Sequence, residues 1–269
     1  MARVSSINSI GFISFGEPAL KTRLIAAVYK GFWTALDWVY PPECVGCGSP
    51  GYCLCENCQN KIRFSKDFKK INMSKTNSSL DNANFLSQGE ILPLTFRRHL
   101  AEYEGVMRQC IHALKYHKNQ SLGQFFSEML AALIQDAKWV IDLVIPVPLS
   151  PERRKQRGYN QSVLIAMPLA LTLGVPCNPF SLKRIRNTVS QVGLSAQERR
   201  QNVHGAFTGV WEIVSGKSVL LVDDVTTTGA TLEACAAALS KAGVYSVYAV
   251  TLAGFTKQNQ EADLNWYQV

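Results

Sequence analysis

Acidic residues are nearly missing from the middle of this chain. Between Pro151 and Arg200 only Glu152 and Glu198 oppose nine basic residues: Arg153, Arg154, Lys155, Arg157, Lys183, Arg184, Arg186, Arg199 and Arg200. That stretch carries +7 of a total net charge of +8. A surface so short of carboxylates predicts a polyanionic partner, pyrophosphate or nucleic acid or both, against the plainer alternative of a solvated basic face. Long apolar runs are missing too. Nothing reaches the roughly 18 uncharged apolar residues that a membrane span needs. The start, MARVSSINSIGFISFGEPAL, lacks an apolar run followed by a small-residue cleavage site. The expectation is a cytoplasmic protein with no membrane span, in a compartment where cysteines hold metal rather than form a disulfide framework. No GK[ST] follows Gly229, which excludes a Walker A site.

Apolar residues make up 47% of the 269 positions, enough for a sizeable core. The most informative segment is VLLVDDVTTTGAT, Val219–Thr231. Four apolar residues form a buried strand, and Asp223 and Asp224 stand at its carboxyl end. A hydroxyl-rich turn through Gly229 then leads into an apolar helix. Backbone N–H groups and threonine hydroxyls at a helix N-terminus make a phosphate cradle. The acids would repel phosphate, so they suit vicinal hydroxyls or a metal beside it. A phosphate plus a diol is a ribose 5-phosphate. A receiver domain also places an acidic pair after a strand, but only 45 residues follow Asp224, too few for the rest of that fold.

Residues 44–58 read CVGCGSPGYCLCENC. Cys44 and Cys47 form one CxxC, Cys55 and Cys58 another. Two such knuckles supply four thiolates to one tetrahedral zinc, a closed and hence structural site. A redox pair is the alternative. Cys53 lies off the pattern and is a rival to Cys55 as ligand. Cys110, Cys177 and Cys235 are expected as buried small apolar residues.

Periodicity predicts a helix over Pro18–Tyr40, whose Tyr29, Phe32, Trp33 and Trp38 suit either a membrane surface or packing against protein. A four-cysteine module is expected at 41–62, a polar linker at 63–90, an α/β domain at 91–256 and a tail at 257–269. Within the domain, helices are expected at Gly105–Tyr116, Leu122–Leu133, Gln161–Leu173 and Thr231–Lys241. Trp139–Pro148 is expected as a central strand, Phe180–Ile185 as a short one, and Lys217–Val222 and Val244–Ala253 as two more. Strands alternating with helices imply a doubly wound parallel sheet, with ligands at the carboxyl ends of strands. Pro148–Tyr159 and Asp223–Thr231 both fall there.

Val219–Thr231 resembles the binding motif of type I phosphoribosyltransferases for phosphoribosyl pyrophosphate (PRPP). The resemblance implies that Asp223 and Asp224 take the ribose hydroxyls. It implies that Thr226, Thr227, Thr228, Gly229, Ala230 and Thr231 hold the 5′-phosphate, with Mg²⁺ arriving on the pyrophosphate. The order of parts resembles the ComF family: the four-cysteine knuckle, ALKYHKN at Ala113–Asn119, PVPLSPERRKQRGYNQS at Pro146–Ser162, RIRNTVSQVGLSAQERRQNVHGAF at Arg184–Phe207, then the Asp-Asp motif. It implies a type I phosphoribosyltransferase-like parallel sheet with flanking helices, plus a small N-terminal zinc module. It places Arg153, Arg154, Lys155 and Arg157 in the loop that meets pyrophosphate, and Arg184–Arg200 in a lid. The implied role is natural competence and DNA uptake, with PRPP bound. Single-stranded DNA and a DNA-translocating helicase or other uptake protein are the implied partners. The alternative is an active phosphoribosyltransferase that moves ribose 5-phosphate to a nucleobase or other acceptor, its cations holding the leaving pyrophosphate. Tyr159 either stacks a base or caps the core.

Overall fold

A computed structural model of the chain describes residues 42–73, 94–188 and 195–255. The expected helix at 18–40, residues 189–194 of the expected lid, and the expected tail lie outside the described residues.

The elements run α1 (Glu56–Gln59), α2 (Lys66–Met73), β1 (Phe96–Glu102), α3 (Gly105–Tyr116), α4 (Gln120–Asp136), β2 (Leu143–Pro146), α5 (Pro151–Arg157), α6 (Gln161–Leu173), β3 (Leu182–Arg184), α7 (Ala196–Val203), β4 (Phe207–Gly209), α8 (Trp211–Val214), β5 (Ser218–Thr226), α9 (Ala230–Lys241) and β6 (Ser246–Gly254). Four strands form a parallel sheet in the order β1-β6-β5-β2, and β3 pairs with β4 as a separate antiparallel ribbon. Alternate strand residues feed two cores, as a period of two requires. Val144, Leu220, Val222, Val250 and Leu252 pack under α3, α4 and α6. Leu143, Ile145, Val219, Leu221, Val247 and Ala249 pack under α9. Helices α4 and α6 approach closely at Gly123, where a Cβ would meet the Leu164 carbonyl oxygen at 2.1 Å.

Two expectations change. The run Trp139–Pro148 is not a central strand. Its core, β2, ends the four-strand order, and Pro176–Asn178 covers its outer edge through Val144, which donates to Pro176 (2.9 Å) and accepts from Asn178 (3.0 Å). All four β2 residues are buried, with Val144 packing in one helix-covered core and Leu143 and Ile145 in the other, so burial imitates the apolar run of a central strand. The segment expected as a pyrophosphate loop is a short helix, α5. Ser150 caps it by accepting from Arg153 N–H, Pro151 opens it, and Gly158 at φ 75° closes it.

The cysteine-rich segment shares a core with the main sheet, where Cys44, Leu54, Cys58, Ile62 and Phe68 join Leu100, Met107 and Ile111. Arg63–Ser65 extends along β1: Ser65 N–H donates to Leu100 O (2.9 Å) and Glu102 N–H to Arg63 O (2.8 Å). Within the stretch expected as a polar linker, α2 buries Phe68 against Phe64, with ring centroids 4.8 Å apart. Its Lys- and Asn-rich composition obscures that apolar spacing of four.

Candidate functional site

β5 does not stop at Val222 but carries Asp223, Asp224 and Thr226 to its carboxyl end, beside Thr251 and Gly254 of β6. The neighbouring β2 ends at Pro146, opposite Val222. The Asp-Asp segment and the basic α5 therefore leave the same edge of the sheet. Thr227, Thr228 and Gly229 make the turn, and Ala230 and Thr231 lie in the first turn of α9. Gly229 takes φ 87°, which a side chain would strain. A Cβ there would also lie 1.8 Å from Arg97 Nη1, whose guanidinium donates to Thr228 O at 3.4 Å. Thr226 Oγ1 is buried without a partner. An unpaired buried hydroxyl at the end of β5, with the α9 N-terminus at Gly229 three residues beyond it in the chain, fits an oxyanion ligand.

The two acids have different surroundings. Asp223 Oδ1 accepts from Ser162 Oγ and from Asp224 N–H, both at 2.9 Å. Burial and the neighbouring Asp224 carboxylate push Asp223 up to about 7. Asp224 Oδ2 meets Lys115 Nζ at 3.0 Å in an ion pair. Gln161 Nε2 donates to its other oxygen at 3.4 Å. Burial works against both charges of the Lys115–Asp224 pair, and their mutual attraction outweighs it. Asp224 is held below the usual carboxylate range and Lys115 above the usual amine range. The site thus holds one fixed carboxylate and one that titrates near neutrality.

Arg157 joins this network by donating to Gln161 Oε1 at 2.9 Å, with its guanidinium 5.2 Å above the Tyr116 ring. Arg153, Arg154 and Lys155 are exposed on the short helix. Of the five other cations of the basic stretch, Lys183, Arg186 and Arg200 are exposed and Arg184 and Arg199 half-buried. Arg184 sits over Phe207 and donates to Thr188, Arg186 donates to Asn202 O and His204 O, and Arg200 pairs with Glu233 of α9 at 3.5 Å. Tyr159 braces the fold: its hydroxyl donates to Leu114 O (2.7 Å) and accepts from Lys118 N–H (2.9 Å).

Lys115, Gln161, Ser162 and Arg97 carry no assignment from the sequence. Lys115 closes the apolar stripe Met107–Ile111–Lys115 as its one charged member, a pattern that reads as an exposed helix end. Gln161 and Ser162 lie inside the GYNQS run. Arg97 has no such signal.

Cys44, Cys47, Cys55 and Cys58 bring their Sγ atoms within 4.8 Å of one another. Thiolates 2.3 Å from a tetrahedral centre lie roughly 3.8 Å apart, so the cluster fits one zinc-sized ion. Cys44 Sγ accepts from Cys55 N–H at 3.3 Å, and a Cβ at Gly46 would meet Cys58 Sγ at 2.7 Å. Cys53 stands outside the four.

Residues 152–269 match the phosphoribosyl transferase domain family. DNA utilization protein YhgH of Escherichia coli K12 is 30% identical over 203 residues, 72% of this chain and 87% of that protein. The chain belongs to the ComF family. Competence protein F of Haemophilus influenzae is 35% identical over 148 residues, and this chain covers 63% of its length. Competence protein ComFC of Bacillus subtilis is 27% identical over 156 residues, with 61% of it covered. Two solved structures, a glutamine PRPP amidotransferase from B. subtilis and an adenine phosphoribosyltransferase, are 23% and 17% identical, each with a TM-score of 0.36. They cover 52% and 55% of this chain, and 30% and 78% of those chains. This ComF-family chain is a type I phosphoribosyltransferase-like sheet with an N-terminal four-cysteine cluster. Among the described residues, no helix is long and apolar enough to cross a membrane.

Proposed function

We propose that the protein binds PRPP at the carboxyl edge of its sheet and single-stranded DNA over the adjoining cations, in the handling of external DNA. The observation that carries the reading is the acid pair, held by Ser162 and Lys115, directly ahead of the Gly229 turn. Asp223 and Asp224 would accept from the ribose hydroxyls. Thr226 Oγ1 and the first N–H groups of α9 would take the 5′-phosphate. Arg153, Arg154, Lys155 and Arg157 would face the pyrophosphate and its Mg²⁺. The competence and DNA-utilization names of the relatives support the DNA half, and zinc is the ion that the four thiolates suit. Titration calorimetry with PRPP tests the site. Asp223→Asn with Asp224→Asn should weaken binding at least tenfold, about 1.4 kcal/mol. Unchanged affinity in that variant would remove the assignment. Consumption of PRPP in the presence of a panel of bases and nucleic acids would instead favour the transferase.

A further inference from the structure

The exposed face of α3 has no carboxylate. Arg108, Gln109, His112 and Tyr116 follow one another along it, His117 and Lys118 continue beyond its end, and GVMRQCIHALKY contains neither Asp nor Glu. Three rings gather there. His112 lies 4.6 Å from Tyr116 and 5.7 Å from His117 by ring centroids. Tyr116 is 53% exposed. The guanidinium of Arg157 lies above its ring and donates to Gln161, which donates to Asp224. Lys118 takes φ 49°, uncommon for a residue with a side chain. That turn is fixed by the hydroxyl of Tyr159, and Lys118 Nζ sits 5.9 Å above the Tyr159 ring. Lys118 and α5 therefore form one cationic surface around the exposed rings.

We infer that this face of α3, centred on Tyr116, is a base-stacking platform for single-stranded DNA that leads toward the acid pair. The inference rests on the proposed binding of single-stranded DNA and says where the bases go. Open rings among cations match the two faces of a single strand, π-surface and phosphate. A duplex keeps its bases stacked inside and offers no face to Tyr116. An acidic protein segment would use the cations and leave the rings idle.

The test uses the full chain and an oligothymidine, with affinity measured by anisotropy across a salt series. Tyr116→Leu should weaken binding about five- to tenfold. The salt slope should be unchanged, because a ring neutralises no phosphate. Tyr116→Phe should restore the affinity. Substituted 5-iodouracil should crosslink to residues 112–117 on irradiation. Wild-type binding that Tyr116→Leu leaves untouched overturns the platform alone, as does equal affinity for duplex. A wild-type protein that binds no DNA overturns the DNA reading itself and the platform with it.

Discussion

Lys115 Nζ stands 3.0 Å from Asp224 Oδ2 and ties the last turn of α3 to the carboxyl end of β5. The lysine side chain is 22% exposed and the aspartate 7%, so the charges are paired well away from bulk water. The contact makes α3 part of the pocket and keeps Asp224 ionised beside Asp223, at the cost of raising Asp223.

Removing the cation should leave a buried carboxylate without its counter-charge. Lys115→Met is expected to cost about 3 kcal/mol in urea unfolding. The double variant with Asp224→Asn should recover much of that loss, because the uncompensated charge is gone. Equal instability of the single and double variants would mean that Lys115 acts by packing alone.

Asp223 should make PRPP binding depend on pH near neutrality. Only its ionised form accepts from two hydroxyls, and its carboxyl is pushed up to about 7. Affinity is expected to rise about tenfold from pH 6 to pH 8, the span of one titration centred there. Asp223→Asn should remove that part of the profile and keep the part due to PRPP itself. The effect on stability has the opposite sign. A carboxyl raised in the fold binds more protons there than in the unfolded chain, so its contribution falls as pH rises from about 4 through 7.

The four-cysteine cluster should hold about one zinc per chain by elemental analysis. Cys58 is buried in the core shared with α3, so Cys58→Ser should lower the melting temperature of the whole chain together with the zinc content. Metal-free protein prepared under reducing conditions with an unchanged melting temperature would contradict a structural role.

DNA binding should weaken steeply with salt, with a log–log slope of about −0.7 per phosphate neutralised. Replacing Arg153, Arg154 and Arg157 by Ala should flatten the slope, because each substitution removes a cation that neutralises phosphate; an unchanged slope would place DNA over the exposed Lys183, Arg186 and Arg200 instead. PRPP should compete with DNA for the α5 cations, and linkage requires equal weakening seen from either ligand. Independent binding of the two would place DNA elsewhere.

Helices α3 and α6 follow the predicted bounds, Gly105–Tyr116 and Gln161–Leu173, because their apolar positions repeat at helical spacing and Gly174, at φ 73°, stops the second. The order of strand, acids, glycine and helix was legible because they are consecutive, but the strand end was not: β5 carries Asp223 and Asp224 and runs on to Thr226. Lys115 was not legible either. A lone lysine on an apolar stripe reads as an exposed end, and its partner is supplied by a strand far along the chain. The edge position of β2 was hidden for a related reason. An apolar run reports burial, and helices on both faces, with Pro176–Asn178 along the outer edge, bury this strand at the rim.

The sequence by itself determined the local chemistry: four thiolates at knuckle spacing, a basic stretch with two acids, and an acid pair before a glycine turn. These follow from residue types at short range, where chain geometry leaves little choice. Only the tertiary structure decided which charges remain open. Parallel pairing brings β2 and β5 to one edge and sets α5 beside the acids, while Arg186 reaches Asn202 and His204 and Arg200 reaches Glu233 at the surface. Burial and the Asp224 charge raise Asp223 while Lys115 holds Asp224 low, so two adjacent aspartates become one titrating and one fixed carboxylate. That division depends on burial and on charges across the fold, which no short stretch of the chain contains.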